Sequence, residues 1–159
     1  MSVEKAKKHL KKWGMDQQVV ETDASTATVE LAAETVGCIP ARIAKTLSFK
    51  IDERSLLIVA AGDAKVNNGK YKTEFGAKAK MLAFDEVAEK IGHAVGGVCP
   101  FGVNDGVEVY LDESLKRFET VFPACGSERS LIELSIKQLE TCSGSCRWVD
   151  VCKGWYDEN

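Results

Sequence analysis

The amino-acid sequence predicts an α/β protein in which a mixed β-sheet packs against helices. Helical and strand patterns alternate along the chain, some strands follow one another as hairpins, and residues 56–61 form an uninterrupted apolar run. A run of that kind is typical of a strand covered on both faces, so we place it near the centre of the sheet. The mixture of helices and hairpins favours a mixed sheet over a doubly wound one.

The first half of the chain carries helices and strands in alternation. In order, we expect a helix at 2–13, a strand at 18–22, a helix at 28–36, strands at 43–51 and 56–61, and a helix at 67–75. Apolar residues recur at helical spacing in the first two helices, and Gly14 and Gly37 follow them, as glycines do at helix ends. Gly69 weakens the pattern of the third helix.

The second half adds further strands around a glycine-rich loop. We expect a helix at 85–91, a loop at 92–102, strands at 107–111, 118–124 and 131–134, a helix at 135–141 and a closing strand at 148–151. Asp85 and Gly92 mark the two ends of the first of these helices. The loop contains four glycines and Pro100, which neither a helix nor a central strand accommodates well.

Length and composition indicate one domain spanning 1–159, because 159 residues with 45% hydrophobic content suffice for one core. No apolar run approaches the roughly 20 residues that cross a membrane, and the first residues lack the apolar stretch of a signal peptide. We therefore expect a soluble, cytoplasmic protein with no membrane partner, and a monomer.

The net charge of -3 will not draw nucleic acid to the molecule as a whole. A polyanion would need a local patch, and two lysine clusters could provide one. The clusters are Lys5, Lys7, Lys8, Lys11 and Lys12, and Lys65, Lys70, Lys72, Lys78 and Lys80. Clusters of this kind are more often solvated faces, so both interpretations stay open.

The sequence contains six cysteines, which we expect to be free thiols in a reducing compartment. They are Cys38, Cys99, Cys125, Cys142, Cys146 and Cys152. The last three are close in sequence, but a structural zinc site usually has four ligands with paired short spacings. We therefore predict no metal, and the role of these three thiols stays open.

Lys45 lies where strand alternation predicts an apolar residue. Over 43–51, the alternation places it on the same face as Ile43, Leu47 and Phe49. An ammonium group withdrawn from water is costly unless it meets an anion or a strong dipole, so this position predicts a site for a negatively charged group. The alternative is that the strand begins after Lys45, or that the lysine stem reaches to the sheet edge.

A nucleophilic triad is difficult to build from this sequence. His9 lies on the lysine-rich first helix, where we expect it to be solvated. His93 and Cys99 could form a Cys–His pair, but two such residues on one flexible loop are weak evidence. Nucleophile-elbow, Walker and dinucleotide-binding motifs are also missing from the sequence.

The glycine-rich loop offers a different chemistry. Gly96 and Gly97 permit backbone conformations closed to other residues, and Pro100 stiffens the end of the loop, so its N–H groups could hold an anion or an oxyanion. Standing alone, such a loop could equally be a surface connection. Together with Lys45 it suits an activated ester, which needs positioning and charge stabilisation more than a strong nucleophile.

Four motifs follow one another in a recognisable order. They are Ala-Lys-Thr-Leu at 44–47, Ala-Gly-Asp-Ala-Lys at 61–65, Gly-His-Ala-Val-Gly-Gly-Val-Cys-Pro-Phe-Gly at 92–102, and Cys-Gly at 125–126 leading into Ile-Glu-Leu at 132–134. In order and spacing they resemble the YbaK/prolyl-tRNA synthetase-associated family, whose members are freestanding relatives of the editing domain of bacterial prolyl-tRNA synthetase. The resemblance spans nearly the whole chain and implies the fold of that domain.

The resemblance implies an aminoacyl-tRNA deacylase that hydrolyses the ester of a mischarged tRNA in trans, without a metal or organic cofactor. Lys45 matches the key lysine of the family, near the terminal adenosine and the aminoacyl carbonyl, and Gly96 and Gly97 match the loop whose backbone contacts the substrate. We take these three as catalytic residues. The implied substrate-binding residues are Thr46, Gly62, Asp63, His93, Val98, Pro100 and Gly126.

The same resemblance implies a mechanism and partners. Family chemistry uses the substrate itself, through the neighbouring ribose hydroxyl and a positioned water, or through the thiol of a cysteinyl substrate. The implied partner is the acceptor end of a mischarged tRNA, and an aminoacyl-tRNA synthetase is a further candidate.

Three positions depart from the cysteine-specific members of the family. Ala44, Ala124 and Leu131 stand where those members usually carry a tyrosine, a serine and an acidic residue. We therefore expect a small amino acid such as alanine, serine or threonine on a non-cognate tRNA. The alternatives are a Cys-tRNA(Pro) deacylase, a non-catalytic module that binds aminoacyl-tRNA or a nucleotide, and a cysteine-based metal or redox protein.

Overall fold

The apolar run at 56–61 lies within a central strand of the main sheet. The structure is a computed structural model that describes residues 2–155. The helices are α1 (Ser2–Leu10), α2 (Val29–Val36), α3 (Asn68–Phe75), α4 (Phe84–Ile91) and α5 (Ile136–Ser143). The strands are β1 (Val20–Glu21), β2 (Ile43–Ile51), β3 (Arg54–Ala61), β4 (Lys65–Val66), β5 (Glu108–Asp112), β6 (Thr120–Pro123), β7 (Ser130–Leu131), β8 (Leu134–Ser135), β9 (Arg147–Val149) and β10 (Cys152–Lys153). Within the described residues, no helix combines the length and apolar character needed to cross a bilayer.

The main sheet mixes parallel and antiparallel pairing. Its strand order is β8-β6-β2-β3-β5-β9. β2 and β3 form an antiparallel hairpin, whereas β6 runs parallel to β2 and β5 runs parallel to β3. Residues 56–61 of β3 are completely buried, as a strand covered on both faces should be. The predicted mixed α/β architecture is therefore confirmed.

Some predicted elements are shorter than the sequence suggested. The first helix ends at Leu10 and continues as a 3-10 turn, and the strand expected at 18–22 is reduced to β1. The strand expected at 131–134 is divided into β7, which pairs with β1, and β8, which pairs with β6. The two short strands pair with different partners, and local alternation does not encode pairing between distant segments.

The expectation that His9 is solvated was wrong. Its ring is half-buried, with Nε2 at 2.5 Å from the Cys142 carbonyl oxygen and ring contacts to Trp13 and Phe101. Burial lowers its pKa below the ordinary value, and the nearby Lys12 acts in the same direction. His9 therefore joins α1 to the end of α5 in place of facing water with the lysines.

The sheet opens between β2 and β6. Their parallel pairing extends along β2 only as far as Ala44. Farther along, the same edge of β2 is taken by the stretch that precedes α4, because the Leu82 N–H donates to the Ser48 carbonyl at 3.2 Å and the Lys50 N–H donates to the Lys80 carbonyl at 2.9 Å. The residues of β2 between these two pairings face a gap.

A buried carboxylate holds the C-terminal segment against the sheet. Asp112 is fully buried and accepts hydrogen bonds at 2.9 Å from the backbone N–H groups of Ser114 and Val151. The Ser114 hydroxyl in turn accepts the N–H of Ala61 at 3.0 Å. These bonds connect the end of β3 with the segment that leads into β10.

We expect Asp112→Ala to destabilise the protein by about 3 kcal/mol, because two buried N–H groups lose their acceptor. Urea unfolding followed by circular dichroism measures the change. Asp105→Ala, at an exposed position, serves as the control. Equal unfolding midpoints for the two variants would contradict the structural role of Asp112.

Candidate functional site

A pocket of about 440 Å³ opens at the gap between β2 and β6. Its walls come from the start of α2, from β2, from the start of α4 and from the loop that follows α4. Of the described residues that line it, Lys45 alone is charged, and the others are uncharged. A largely apolar cavity with a single convergent charge is typical of a site for a small molecule or for one end of a larger ligand.

Lys45 is half-buried in the lining of this pocket. Its Nζ donates to the Gly62 carbonyl oxygen at 3.4 Å, and it forms no ion pair within residues 2–155. Burial lowers its pKa below the usual lysine value and the neighbouring Lys65 acts in the same direction, while the carboxylates of Asp63 and Glu30 oppose the shift. A partly desolvated ammonium group with donors to spare can bind an anion or a carbonyl oxygen.

Gly62 and Asp63 support this lysine from the end of β3. A Cβ at Gly62 would lie 2.1 Å from the Pro40 carbonyl oxygen, so only glycine permits this close approach. The Asp63 carboxylate forms a two-pronged ion pair with Arg117 at 2.6 and 3.0 Å. Gly62 thus positions Lys45, whereas the oxygens of Asp63 already hold a partner and Asp63 does not line the pocket.

Thr46 lies in the gap next to Lys45. Its hydroxyl oxygen is buried and has no hydrogen-bond partner among the described residues. The backbone groups of Ser48 and Lys50 point toward the outer edge of β2, and alternation along a strand directs those of Thr46 the same way. Since strand pairing is interrupted there, Thr46 offers a donor, an acceptor and a hydroxyl to a ligand.

The glycine-rich loop closes the opposite side of the pocket. Gly96 has φ of 96° at the third position of a turn in which the Gly97 N–H donates to the Ala94 carbonyl at 3.0 Å. The N–H of Gly97 is therefore used inside the turn. Gly96 and Val98 line the pocket, and their N–H groups form no hydrogen bond within the described part of the chain.

Backbone packing among other predicted site residues holds the loop in place. A Cβ at Gly97 would lie 2.5 Å from the backbone of Gly126 and Ser127, so the two segments pack backbone to backbone. Gly97, Pro100 and Gly126 are buried and do not line the pocket. The backbone contact between Gly97 and Gly126 fixes the position of the loop.

The pair formed by His93 and Cys99 is buried and chemically inert. His93 Nε2 lies 2.6 Å from the Phe101 carbonyl oxygen, which can only accept, so this nitrogen carries the proton and cannot serve as a base for Cys99 Sγ at 3.5 Å. Burial raises the pKa of Cys99 to about 12 and lowers that of His93. His93 closes the base of the loop and lies outside the pocket.

The positions that depart from cysteine-specific relatives meet in the pocket wall. Ala44, Ala124 and Leu131 all line it, although they come from β2, from the residue after β6 and from β7. Their convergence means that the size and polarity of one wall are set by these three side chains.

Several residues of the pocket were missed from the sequence. Met81, Phe84 and Val95 line its mouth and are exposed. Periodicity assigns apolar residues to the core, so an apolar residue at a rim has no local sequence signal. Exposure of the phenyl ring of Phe84 at the first position of α4 is evident only when the neighbouring segments are in place.

The thiols of the C-terminal region do not assemble into a site. Cys142 is buried beside Met15, and Cys146 is exposed. Cys152 is buried next to Asp112. Burial, together with the Asp112 carboxylate, raises the pKa of Cys152 to about 12. In the described part of the chain, no group of three or more histidine, cysteine or acidic residues is arranged to hold a metal.

The two lysine clusters differ in their surroundings. On α1, Lys7 pairs with Glu21 and Lys5 donates to the Gly92 carbonyl, while the remaining lysines of that cluster are exposed. In the second cluster, Lys70 pairs with Asp150, and Lys65 lies close enough to Lys45 to affect its pKa. The second cluster therefore reaches the candidate site.

Comparisons with known proteins identify the family to which the chain is similar. The aminoacyl-tRNA editing domain model matches residues 23–142. The chain is 54% identical to "Uncharacterized protein YwhH" of Bacillus subtilis (strain 168), over 98% of this chain and 99% of the relative. It is 37% identical over 92 residues to the proline--tRNA ligase of the same organism, which corresponds to 57% of this chain and 15% of the ligase.

A solved structure gives the same result for the fold. It is described as a candidate trans-editing enzyme for prolyl tRNA synthetase, and it superposes with a TM-score of 0.87 at 32% identity over 96% of this chain and 98% of that one. The resemblance read from the four sequence motifs is confirmed by these matches. The chain therefore belongs to the aminoacyl-tRNA editing domain family.

Proposed function

We propose that this protein is a trans-editing hydrolase that deacylates mischarged aminoacyl-tRNA carrying a small amino acid such as alanine, serine or threonine. The observation that carries the proposal is the half-buried Lys45 ammonium group, which has no ion-pair partner within the described residues and opens onto an otherwise uncharged pocket. An ester carbonyl bound there develops negative charge on its oxygen as it reacts. A preorganised cation stabilises that charge more than it stabilises the ground state.

The reaction needs no attacking side chain from the protein. Water adds to the ester carbonyl carbon, the bond from that carbon to the ribose oxygen breaks, and a proton passes to the ribose oxygen, which leaves a free amino acid and an uncharged tRNA. The neighbouring ribose hydroxyl assists the proton transfer. Lys45 and the free N–H groups of Gly96 and Val98 stabilise the oxyanion, while the edge of β2 at Thr46 orients the aminoacyl group.

Substrate choice follows from the wall of the pocket. Among the described residues that line it none is acidic, so a cationic side chain finds no counter-charge. Ala44, Ala124 and Leu131 present methyl and isobutyl groups to the substrate, which suits a small uncharged side chain. Selection by size separates near-isosteres by only about 10- to 200-fold, so we expect overlapping activity on alanine, serine and threonine esters.

The proposed partner is the acceptor end of tRNA, which the protein meets in the cytoplasm, either free or beside the synthetase that produced the error. The matched region of prolyl-tRNA synthetase supports proline tRNA as the first tRNA to test.

We expect wild type to hydrolyse at least one of the alanyl, seryl, threonyl and cysteinyl esters of tRNA(Pro), and Lys45→Ala to reduce the rate by on the order of a hundredfold or more through loss of the charge contact. Release of radiolabelled amino acid measures the rate. Lys45→Met keeps an apolar stem in place and separates loss of charge from loss of packing. Lys137→Ala removes an exposed lysine of α5 and should leave the rate unchanged.

Two outcomes would contradict this proposal. If wild type hydrolyses none of these esters but binds them tightly, the protein is a binding module. If Lys45→Met retains full activity, the ammonium group has no role in the reaction.

We expect the pH dependence to report the protonation of Lys45. Because burial lowers its pKa, the ammonium group is lost as pH rises through a value below the usual lysine pKa of about 10.4. After the spontaneous base hydrolysis of the ester is subtracted from both rates, the ratio of wild type to Lys45→Met should therefore be flat near neutrality and fall in alkaline buffer. A ratio that rises with pH would indicate that the neutral amine acts as a base.

We expect Cys99→Ser to retain turnover within about twofold, because the thiol is fully buried, protonated and held toward the Phe101 carbonyl, which a serine hydroxyl can also reach. The same deacylation assay measures it, with circular dichroism to verify folding. Loss of activity on the order of a hundredfold in a folded variant would restore the Cys–His pair as the catalytic group.

A further inference from the structure

The mouth of the pocket is rimmed by exposed apolar side chains. Phe84 is 80% exposed, Met81 55% and Val95 46%. Among the described residues seven large hydrophobic side chains are exposed, and these three lie at the same rim. Such clustering at the edge of a cavity marks a contact surface for a ligand, whereas apolar residues scattered singly need no explanation.

A second pocket of about 350 Å³ continues from the first. Lys45, Leu47 and Met81 line both cavities, so the two form one groove with the ammonium group of Lys45 at the junction. The second pocket adds Lys65 and Asn68, a cation and an amide. A ligand that follows the groove meets an apolar rim, then Lys45, then a polar and basic end.

The basic end carries two lysines directly opposite each other. Lys65 of β4 pairs in register with Lys153 of β10, both are exposed, and neither forms an ion pair within residues 2–155. Like charges at facing positions of an antiparallel pair destabilise it, and a bound anion removes that cost. This arrangement therefore suits a phosphate group.

We propose that this groove holds the unpaired 3′ end of the tRNA next to the ester, with one base stacked on Phe84 and Met81 and one phosphate bound by Lys65 and Lys153. The inference rests on the proposed function, because an ester at Lys45 brings the 3′ end to this place. Single-stranded nucleic acid presents flat apolar bases and anionic phosphates in alternation, and aromatic side chains with lysines recognise that combination. A patch built for a protein partner would not require two lysines that form no ion pair with the described residues at one end.

The first test is deacylation of the mischarged tRNA by Phe84→Ala. We expect KM to rise about tenfold with kcat within about twofold, because stacking binds the ground state and the transition state alike. Phe84→Trp retains an aromatic face and should keep the wild-type KM. Trp13→Ala removes an exposed aromatic residue that lines neither cavity and is the matched control.

The second test is binding of a short single-stranded oligoribonucleotide with the tRNA 3′-terminal sequence, compared with the same strand carrying abasic sugars. Wild type should prefer the strand with bases by about tenfold, and Phe84→Ala should lose that preference. Lys65→Ala should instead reduce the slope of log affinity against log salt by about 0.7, the contribution of one phosphate contact on a single strand. Phe84→Ala should leave that slope unchanged.

The outcomes separate this inference from the proposed function. Hydrolysis by wild type together with an unchanged KM in Phe84→Ala overturns the stacking inference and leaves the deacylase intact. Absence of hydrolysis, with base-dependent binding that is lost in Phe84→Ala, overturns the deacylase and supports the groove as a nucleic-acid site. Equal binding of the normal and abasic strands by wild type overturns the inference, and the rim is then a surface for a protein partner.

Discussion

The divergence of β2 from β6 after Ala44 is the feature on which the site depends. If β2 and β6 remained paired beyond Ala44, hydrogen bonds would satisfy the backbone groups of Thr46 and leave no space beside it. Because the edge of β2 is taken up again only at Ser48, a short length of strand faces a cavity with peptide groups that no described residue pairs. Unpaired backbone groups are costly when buried, so this gap is stable only if water or a ligand occupies it.

The electrostatics of the site depend on the binding of the neighbouring Asp63 carboxylate by Arg117, which leaves Lys45 without a direct contact to it. Asp63 directly follows Gly62 in the chain, and its carboxylate could neutralise Lys45 by forming an ion pair with it. Arg117 holds both oxygens of Asp63, and Gly62 offers its carbonyl to Lys45, so the ammonium group is oriented without an ion pair to any residue that the structure describes. A paired lysine would stabilise the fold more and would be less able to stabilise new charge on a substrate.

The glycine-rich loop is held by contacts that its glycines only partly explain. Gly97 permits backbone contact with Gly126, and His93 ties the base of the loop to the Phe101 carbonyl from within the core. The residues that look most reactive, His93 and Cys99, are therefore structural. Under the proposed function, the chemistry would therefore fall to a lysine, to main-chain groups and to the ester itself.

Local pattern was sufficient for much of this protein. The central strand at 56–61, the unusual position of Lys45 and the glycine loop were all evident from alternation and composition, because each depends on residues close in the chain. The capture of Asp63 by Arg117, the burial of His9, the convergence of Ala44 with Leu131 and the exposure of Phe84 were not. These features arise from contacts between residues that are far apart in sequence or from the absence of a covering segment, and no local periodicity encodes either.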